Sequence, residues 1–548
     1  MSAQREMGLT AIDANIKSAL WQSQNFLRRR NFLASALIRL PTELTLNIFK
    51  YAIESEDEIN HEIYYGESDS DTENGTDNGT DNESYCDSEF VAQVELALRA
   101  PPTLLVLTSI CHKLREIGVS AHRLWSTVNI AIPSFAKLFL ERCNHDPLAL
   151  IAPRVKMADA WAQLDGLAFK NLRSLSFEGT LIEFDDRVIP ILSRATNLSS
   201  LFATAVNPFI QEPPWRLSAP THHLSILRMR GFSNGWAFPF LQNLSQLCLE
   251  IAPVFLHTDR MPIETFLAAL ANCPDLESLE LFSSGMGPLT YPPDKYHTVV
   301  QLRRLRRLFL TIAHARTVGN ILSHISYPES TLVEVSVYLC TEPNISRAIS
   351  LIFPRGNADT LRHIRATKEL KVNWSLDAYT FSTDNSTIRC RSYTPPCLND
   401  LTLALSRTLE VVGKGITSFS VTTRHINLTN EMWEVILRQL PQLERISYER
   451  HRRVSLGAID PFVLVFSRLS EGELACSELQ VLELPEKVLT QELSAAALER
   501  ALAERNAAGR RLKRIAISDK TAEEDVHDQL SLERFCGLVD EAQSRVPR

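Results

Sequence analysis

Apolar residues along much of the chain follow two alternating spacings. In the stretch 266–282, Phe266 and Leu270 have helical spacing, whereas Leu279 and Leu281 alternate with polar residues as in a short half-buried strand. A single unit of this kind cannot bury its own apolar face, but stacked copies can. The pattern therefore predicts an array of helix, loop and strand units.

Similar strand patterns recur through the sequence after Trp125. The copies begin at Leu172, Leu198, Leu224, Leu244, Leu276, Leu305, Leu332, Leu361, Ile416, Leu443, Leu479 and Leu512. From Leu172 to Leu361 they are 20 to 32 residues apart, which is typical of leucine-rich repeats, and the chain resembles that family. The resemblance implies an α/β fold with a curved parallel sheet, a leucine-rich-repeat solenoid over residues 133–518. The alternative is a conventional α/β domain with leucine-rich strands.

A short helical motif precedes the array. Leu44, Ile48 and Tyr51 are spaced as one apolar stripe on a helix. Pro41 suits the first turn, where its missing N–H costs nothing, and Glu43 places a negative charge at the positive end of the helix dipole. The stripe is predicted either to pack internally or to meet a partner.

This motif, Leu40-Pro41-x-Glu43-Leu44-x-x-x-Ile48-Phe49, resembles the first half of an F-box. The segment 104–117, followed by Leu124-Trp125, resembles the second half, although the family usually has Trp at the position of Leu114 and keeps the two halves close together. The resemblance implies a small all-α module over residues 37–132. It also implies docking to a Skp-type adaptor, and through it to a cullin-RING ligase, by Leu40, Pro41, Leu44, Ile48, Phe49, Leu107, Cys111, Leu114 and Trp125. The segment 135–150 is similar to the link between F-box and repeats in proteins of mushroom-forming fungi.

An acidic insert separates the two halves of this motif. Residues 54–95 contain 15 Asp or Glu residues and no Lys or Arg. The core of the insert, residues 69–84, has almost no apolar residues, so the composition predicts a disordered loop. Lengthening a loop costs only about 0.6 kcal/mol per doubling. Ser68 and Ser70 resemble sites of acidophilic kinases, whereas a solvated spacer is the plainer interpretation.

Three further segments depart from the repeat pattern. Residues 1–36 contain an amphipathic helical candidate that ends in a basic cluster, and residues 519–548 have the pattern of a C-terminal helical cap. Residues 374–396 are polar and interrupt the rhythm of the repeats. They are predicted to form a long loop or a degenerate unit.

Composition limits the classes of function and the compartment. The chain has 548 residues, a net charge of −8 and a pI near 6.0, and no basic patch indicates nucleic acid as a partner. No signal-peptide pattern and no run of about 18 apolar residues occurs, so we expect a cytoplasmic or nuclear protein and no membrane partner. The ten cysteines include no CxxC pair, which argues against a zinc site or a disulfide framework.

One short motif could carry catalysis. Gly231-x-Ser233-x-Gly235 matches the nucleophile turn of serine hydrolases and follows a predicted strand. Pro239 makes the following segment a poor helix start, so a glycine-containing repeat loop is the better interpretation. No phosphate-binding glycine loop is present, and we expect neither an enzyme nor a bound cofactor or metal.

The remaining expectation is protein binding. In leucine-rich repeats, strand residues between the leucines face outward along the concave sheet. The candidate target-binding residues are therefore Arg228, Arg230, Glu250, Glu280, Phe282, Phe309, Tyr338 and Glu449. Together with the F-box resemblance, this predicts a substrate-recognition subunit of a Skp-cullin-F-box ubiquitin ligase. A repeat scaffold without a ligase role is the alternative.

Overall fold

The structure is a computed structural model of a mixed α/β chain. It describes residues 17–18, 20–30, 39–65, 103–131, 133–143, 146–152, 169–180, 183–205, 223–231, 241–251, 263–283, 299–339, 344–353, 364, 367–375, 378–392, 397–413, 415–423, 428–450, 459–471, 476–485, 488–489, 491–517 and 534–543. The chain divides into two compact units, Met1–Phe202 and Ala203–Arg548. Among the helices described, none has the length and apolar character needed to cross a membrane.

The first unit is helical at its start and acquires strands later. Residues 20–30 are helical. The helices that follow are α1 (Thr42–Tyr65), α2 (Thr103–Ile110), α3 (His112–Ser120), α4 (Pro133–Cys143) and α5 (Ile189–Arg194), with short helical turns at His122–Trp125, Phe169–Asn171 and Phe184–Val188. The strands are β1 (Thr127–Asn129), β2 (Leu148–Ala152) and β3 (Leu172–Gly179), which pair in parallel in that order. The division between the units falls within β4 (Ser200–Ala205).

The second unit is built on a large, mainly parallel sheet. Its strands are β5 (Ile226–Arg230), β6 (Gln246–Ile251), β7 (Ser278–Ser283), β8 (Val300–Gln301), β9 (Arg307–Ile312), β10 (Ile325–Ser326), β11 (Leu332–Tyr338), β12 (Glu369–Trp374), β13 (Ala378–Ser382), β14 (Ser386–Arg391), β15 (Ser418–Thr423), β16 (Arg445–Arg450), β17 (Val481–Leu484), β18 (Leu512–Ile517) and β19 (Val539–Gln543). Neighbouring strands follow the order β5, β6, β7, β9, β11, β14, β13, β12, β15, β16, β17, β18, β19, while β8 and β10 form a separate parallel pair.

The helices of the second unit lie between its strands in sequence. They are α6 (Ile263–Ala271), α7 (Ala315–His324), α8 (Ile345–Ile352), α9 (Leu398–Val412), α10 (Asn430–Gln439), α11 (Pro461–Glu471) and α12 (Glu492–Ala507). From α7 to α12, each helix packs against the next one. The mixed α/β class and the parallel character of the sheet, both expected from the pattern, are confirmed.

Leucines at matching positions explain why the strands stack. Strand β7 begins two residues after Leu276, which is fully buried. Within the strands, Leu247, Leu279 and Leu308 lie in register on β6, β7 and β9, and each is at most 2% exposed. Full burial of a leucine side chain contributes about 1.5–3 kcal/mol, so a row of them favours this register over a one-residue slip.

Residues 374–396, which are predicted to form a long loop or a degenerate unit, contain strands β13 and β14, and β13 reverses the direction of the sheet. Strand β13 is antiparallel to both β12 and β14, and the three strands lie between β11 and β15. The polar residues of this segment alternate with Tyr379, Phe381, Ile388 and Cys390, which are all fully buried. Because side chains alternate across a strand, every second residue can be buried even in a segment that is polar overall.

The structure also differs from the expectations for the acidic insert and for the C-terminal segment. Residues 54–65 continue α1, although their acidic composition predicts disorder. The reason is that an existing helix extends readily through glutamate-rich sequence. Residues 66–95 of the insert lie outside the described residues. Residues 534–543 form a turn and strand β19, not a helix. Strand β19 pairs with β18 and supplies hydrogen bonds to an edge that would otherwise be unpaired.

The helical layer includes one very close approach. A Cβ atom at Gly319 of α7 would lie 1.9 Å from the carbonyl oxygen of Leu351 in α8. The start of α8 is also tied to α9, because the carboxylate of Asp400 accepts hydrogen bonds from the backbone N–H groups of Ile345 at 2.7 Å and Ser346 at 3.0 Å. Gly319 therefore permits the close approach of α7 and α8, and the hydrogen bonds from Asp400 fix the start of α8 against α9.

Replacement of Gly319 by Ala should destabilise the protein by about 1–3 kcal/mol, because the added methyl group meets backbone that cannot rotate away. Gly415→Ala is the matched control, since no heavy atom lies within 4 Å of a Cβ at that position. The measurement is the midpoint of urea unfolding for the full chain. Equal midpoints for the two variants would contradict the close approach.

Candidate functional site

The helical module in the first unit has a small apolar core. Helix α1 packs against α2 and α3, and Phe49 and Leu114 are fully buried where these helices meet. Gly118 of α3 permits the contact, because a Cβ there would lie 2.5 Å from Cγ2 of Thr108 and 3.3 Å from Cε2 of Phe49. The three helices are therefore held at a distance that only glycine allows.

Trp125 joins this module to α4. Its indole Nε1 donates a hydrogen bond to the carbonyl of Gly118 at 2.7 Å. Its ring meets that of Phe139 edge-on, with 4.9 Å between centroids, and the guanidinium of Arg142 lies 4.3 Å from the ring centroid. Since Trp125 is fully buried, its role in this structure is to anchor the module internally.

The turn between α2 and α3 is centred on Cys111. Cys111 has extended backbone, with φ −154° and ψ 166°, directly before α3. Its carbonyl accepts the backbone N–H of Arg115, whose side-chain Nε donates to the carbonyl of Thr108 at 3.2 Å. Cys111 is half-buried, so its side chain is part of the turn and still reaches the surface.

An apolar stripe on α1 faces solvent. Leu44 is 49% exposed and Ile48 is 39% exposed, and Tyr51 follows on the same face. The carbonyl of Pro41 accepts the backbone N–H of Thr45 at 3.1 Å, so Pro41 directly precedes the helix and is not within its first turn. Of the two alternatives for this stripe, internal packing does not occur: its side chains lie at the surface of α1.

The nine predicted docking residues thus fall into two groups. Phe49, Leu114 and Trp125 are fully buried, so in this structure they hold the helices together and do not form part of an exposed docking surface. The other six are exposed or half-buried: Leu40, Pro41, Leu44, Ile48, Leu107 and Cys111. Val106 of α2 directly precedes Leu107 and is 46% exposed, although it is not among the nine predicted docking residues.

The eight predicted target-binding residues all face outward from the sheet of the second unit. Each follows a buried strand residue and is exposed or half-buried: Arg228, Arg230, Glu250, Glu280, Phe282, Phe309, Tyr338 and Glu449. Seven of them lie on the neighbouring strands β5, β6, β7, β9 and β11, whereas Glu449 lies on β16, where it accepts a hydrogen bond from Thr422 at 3.2 Å.

The first strands of this outward face carry aromatic rings and paired charges. The rings of Phe282 and Phe309 lie 5.0 Å apart between centroids. Arg230 Nε is 2.9 Å from Glu250 Oε2, and Arg307 Nη1 is 3.7 Å from Glu280 Oε1. An apolar centre bordered by ion pairs is suited to a protein partner, although exposed ion pairs by themselves contribute little affinity.

Strand β14 adds two arginines that sequence reasoning missed. Arg389 is exposed and Arg391 is half-buried, and they alternate with the buried Ile388 and Cys390. The signal was present in the sequence Ser386 to Arg391, where apolar and basic residues alternate. The polarity of the surrounding segment concealed it.

The described residues offer little for catalysis or metal binding. Burial, followed by the charge of Glu280, raises the pKa of the Cys248 thiol to about 12, and burial raises the pKa of Cys476 to about 12. Both thiols therefore stay protonated near neutral pH and are poor nucleophiles. No group of three or more His, Cys, Asp or Glu side chains in these residues is arranged to hold a metal ion. Ser233 lies outside the described residues.

The buried charges of the second unit have structural partners. Asp460 Oδ2 lies 3.5 Å from Arg450 Nη1, and Asp460 Oδ1 accepts the backbone N–H of Phe462 at 2.9 Å, at the start of α11. Burial raises the pKa of Asp460. Arg505 donates to the carbonyl of Cys476 at 3.1 Å. These contacts join helices and strands inside the fold.

No family model matches the sequence, and no curated protein matches it. The resemblance to F-box and leucine-rich-repeat proteins therefore rests on the motifs themselves.

Replacement of Gly118 by Ala should loosen the helical module by about 1–3 kcal/mol, because the new methyl group overlaps Cγ2 of Thr108. The second change Thr108→Ser removes that methyl group and keeps the hydroxyl that donates to the carbonyl of Leu105 at 3.1 Å. The double variant should therefore regain stability. Hydrogen exchange of the α3 amides, measured in the full chain, reports both effects.

Unchanged α3 protection in Gly118→Ala would show that the three helices do not meet as described. A double variant no better protected than Gly118→Ala would show that Thr108 is not the group that clashes.

Proposed function

We propose that the protein is the substrate-recognition subunit of a Skp-cullin-F-box type ubiquitin ligase. In this proposal, α1, α2 and α3 form an F-box that docks to a Skp-type adaptor, and the strands and helices that follow form a leucine-rich-repeat solenoid that binds the target. Such a subunit works by holding a target close to the ubiquitin-charged enzyme. It needs no catalytic residues of its own.

The observation that carries the proposal is the exposure of Leu44 and Ile48 on a helix whose other side is already packed. Phe49 and Leu114 fill the core of the module, so the stripe is not needed to hold the module together. Neighbouring apolar side chains that face solvent at helical spacing are typical of a surface that meets a partner. They lie directly after Leu40 and Pro41, where an F-box places its adaptor contacts.

The departure at Leu114 is compatible with this function. The F-box family usually has Trp at this position, and Leu114 is fully buried against the neighbouring helices. A smaller apolar side chain fills a core if the helices approach more closely, and Gly118 allows such an approach. The module therefore has a complete core without the family's tryptophan.

A repeat scaffold without a ligase role would use the outward sheet face in the same way and would bind no adaptor. Binding of the adaptor therefore separates the two functions. The serine-hydrolase alternative depends on Ser233, and no observation among the described residues favours it.

The double variant Leu44→Ser, Ile48→Ser should bind a purified Skp-type adaptor about 30-fold more weakly than the unaltered chain. Full burial of such side chains contributes about 1.5–3 kcal/mol each, and both are already partly covered, so their joint loss is about 2 kcal/mol. Isothermal titration calorimetry with the full chain measures the change.

The matched control is Leu403→Ser, Leu493→Ser, which alters two leucines on α9 and α12 that are 58% and 57% exposed. This control should bind the adaptor normally. Normal binding by the α1 variant would refute the assignment of the stripe. Absence of adaptor binding by the unaltered chain would refute the ligase function and favour the scaffold.

A further inference from the structure

The outward-facing arginines of the sheet are not all alike. Arg230, Arg307 and Arg445 each lie within 4 Å of a carboxylate, those of Glu250, Glu280 and Glu483. Within the described part of the chain, Arg389 of β14 makes no ion pair or hydrogen bond through its side chain. Arg391 contacts Tyr338, with Nη1 3.5 Å from the phenol oxygen and the guanidinium carbon 5.7 Å from the ring centroid.

The surroundings of Arg389 are rich in hydrogen-bond donors. It lies opposite Ser336 of β11 and opposite Thr380 of β13, and Thr380 lies opposite Asn373 of β12. All three neighbours face outward, and none of their side chains makes a hydrogen bond within the described residues. The reversal of β12, β13 and β14 therefore presents a row of hydroxyl and amide groups beside two guanidinium groups.

The described side chains on this part of the face carry a positive net charge. Of the described carboxylates, Glu334 is the nearest in register: it lies opposite Thr387 on β14 and is thus diagonal to Arg389. It forms no ion pair with either arginine among the contacts of the described residues. Among the described residues, two cations and one partly separated anion leave an excess positive charge here, which favours an anionic ligand.

The spacing of the two arginines limits the form of that ligand. Residues two apart on a strand point to the same side and are about 6.6 Å apart. An extended peptide has the same repeat, so acidic side chains at positions i and i+2 match both guanidinium groups at once. Carboxylates pair well with guanidinium groups, which can donate two parallel hydrogen bonds.

We propose that the outward face of β14 binds an extended acidic segment of a partner protein that carries carboxylates at alternate positions. Arg389 and Arg391 pair with the two carboxylates, and Ser336, Thr380 and Asn373 hydrogen-bond to the segment beside them. This inference rests on the proposed function only in identifying the partner as a ubiquitylation target. The site would bind the same segment if the protein served as a scaffold.

The test uses three fluorescein-labelled peptide pools with degenerate uncharged flanks. Their fixed centres are Glu-Ser-Glu, Gln-Ser-Gln and Glu-Glu-Ser, of which the last has the same charge with the wrong spacing. Binding to the full chain is measured by fluorescence polarisation. The Glu-Ser-Glu pool should bind about tenfold more tightly than the Gln-Ser-Gln pool, and more tightly than the Glu-Glu-Ser pool.

The variant Arg389→Gln, Arg391→Gln should reduce binding of the Glu-Ser-Glu pool to the level of the uncharged pool. The matched control is Arg316→Gln, Arg347→Gln, which removes the same charge from exposed positions on α7 and α8. This control should bind normally. The binding assay contains no adaptor, and adaptor binding by both variants is measured separately, so failure of the site and failure of the ligase function give different results.

Three outcomes would overturn the proposal. Equal binding of the charged and uncharged pools would show that the face does not select anions. Equal losses in the two double variants would show a general effect of charge. Self-association of the unaltered chain that disappears in Arg389→Gln, Arg391→Gln would assign the face to a second copy of this chain.

Discussion

The structure of the second unit depends on the burial of apolar rows between successive parallel strands. Each strand has too few apolar residues to form a core alone. A shared core forms when Leu247, Leu279 and Leu308 come into register on neighbouring strands. Because side chains alternate across a strand, this same constraint places the intervening residues on the opposite face. The outward face is therefore a direct consequence of the core.

That separation of faces explains how the candidate binding residues are presented on a rigid surface. The inward positions stay apolar to maintain packing, whereas the outward positions vary among aromatic, acidic and basic residues without cost to the core. The aromatic pair Phe282 and Phe309 and the arginines of β14 occupy such outward positions. The antiparallel strand β13 enlarges the sheet and places Thr380 beside Arg389.

The helical module uses a different constraint, the close approach of helices at a glycine. Gly118 lets α3 lie against Thr108 and Phe49, and the carbonyl of the same glycine accepts the indole N–H of Trp125. One residue thus sets the distance between the helices and fixes the anchor to α4. With the interior satisfied in this way, Leu44 and Ile48 stay at the surface and are available for a partner.

The sequence by itself determined the positions of most of the leucine-rich strands and the outward placement of the eight selected strand residues, because both follow from local spacing. Residues 361–363 of the strand predicted from Leu361 lie outside the described residues, and Ile364 is helical. Only the tertiary structure decided which of the nine motif residues are reachable, since the burial of Phe49, Leu114 and Trp125 depends on segments distant in sequence. The reversal at β13 and the strand β19 were likewise decided by neighbouring strands. Backbone pairing with an adjacent strand can override composition, because the hydrogen bonds of a sheet do not depend on side chains.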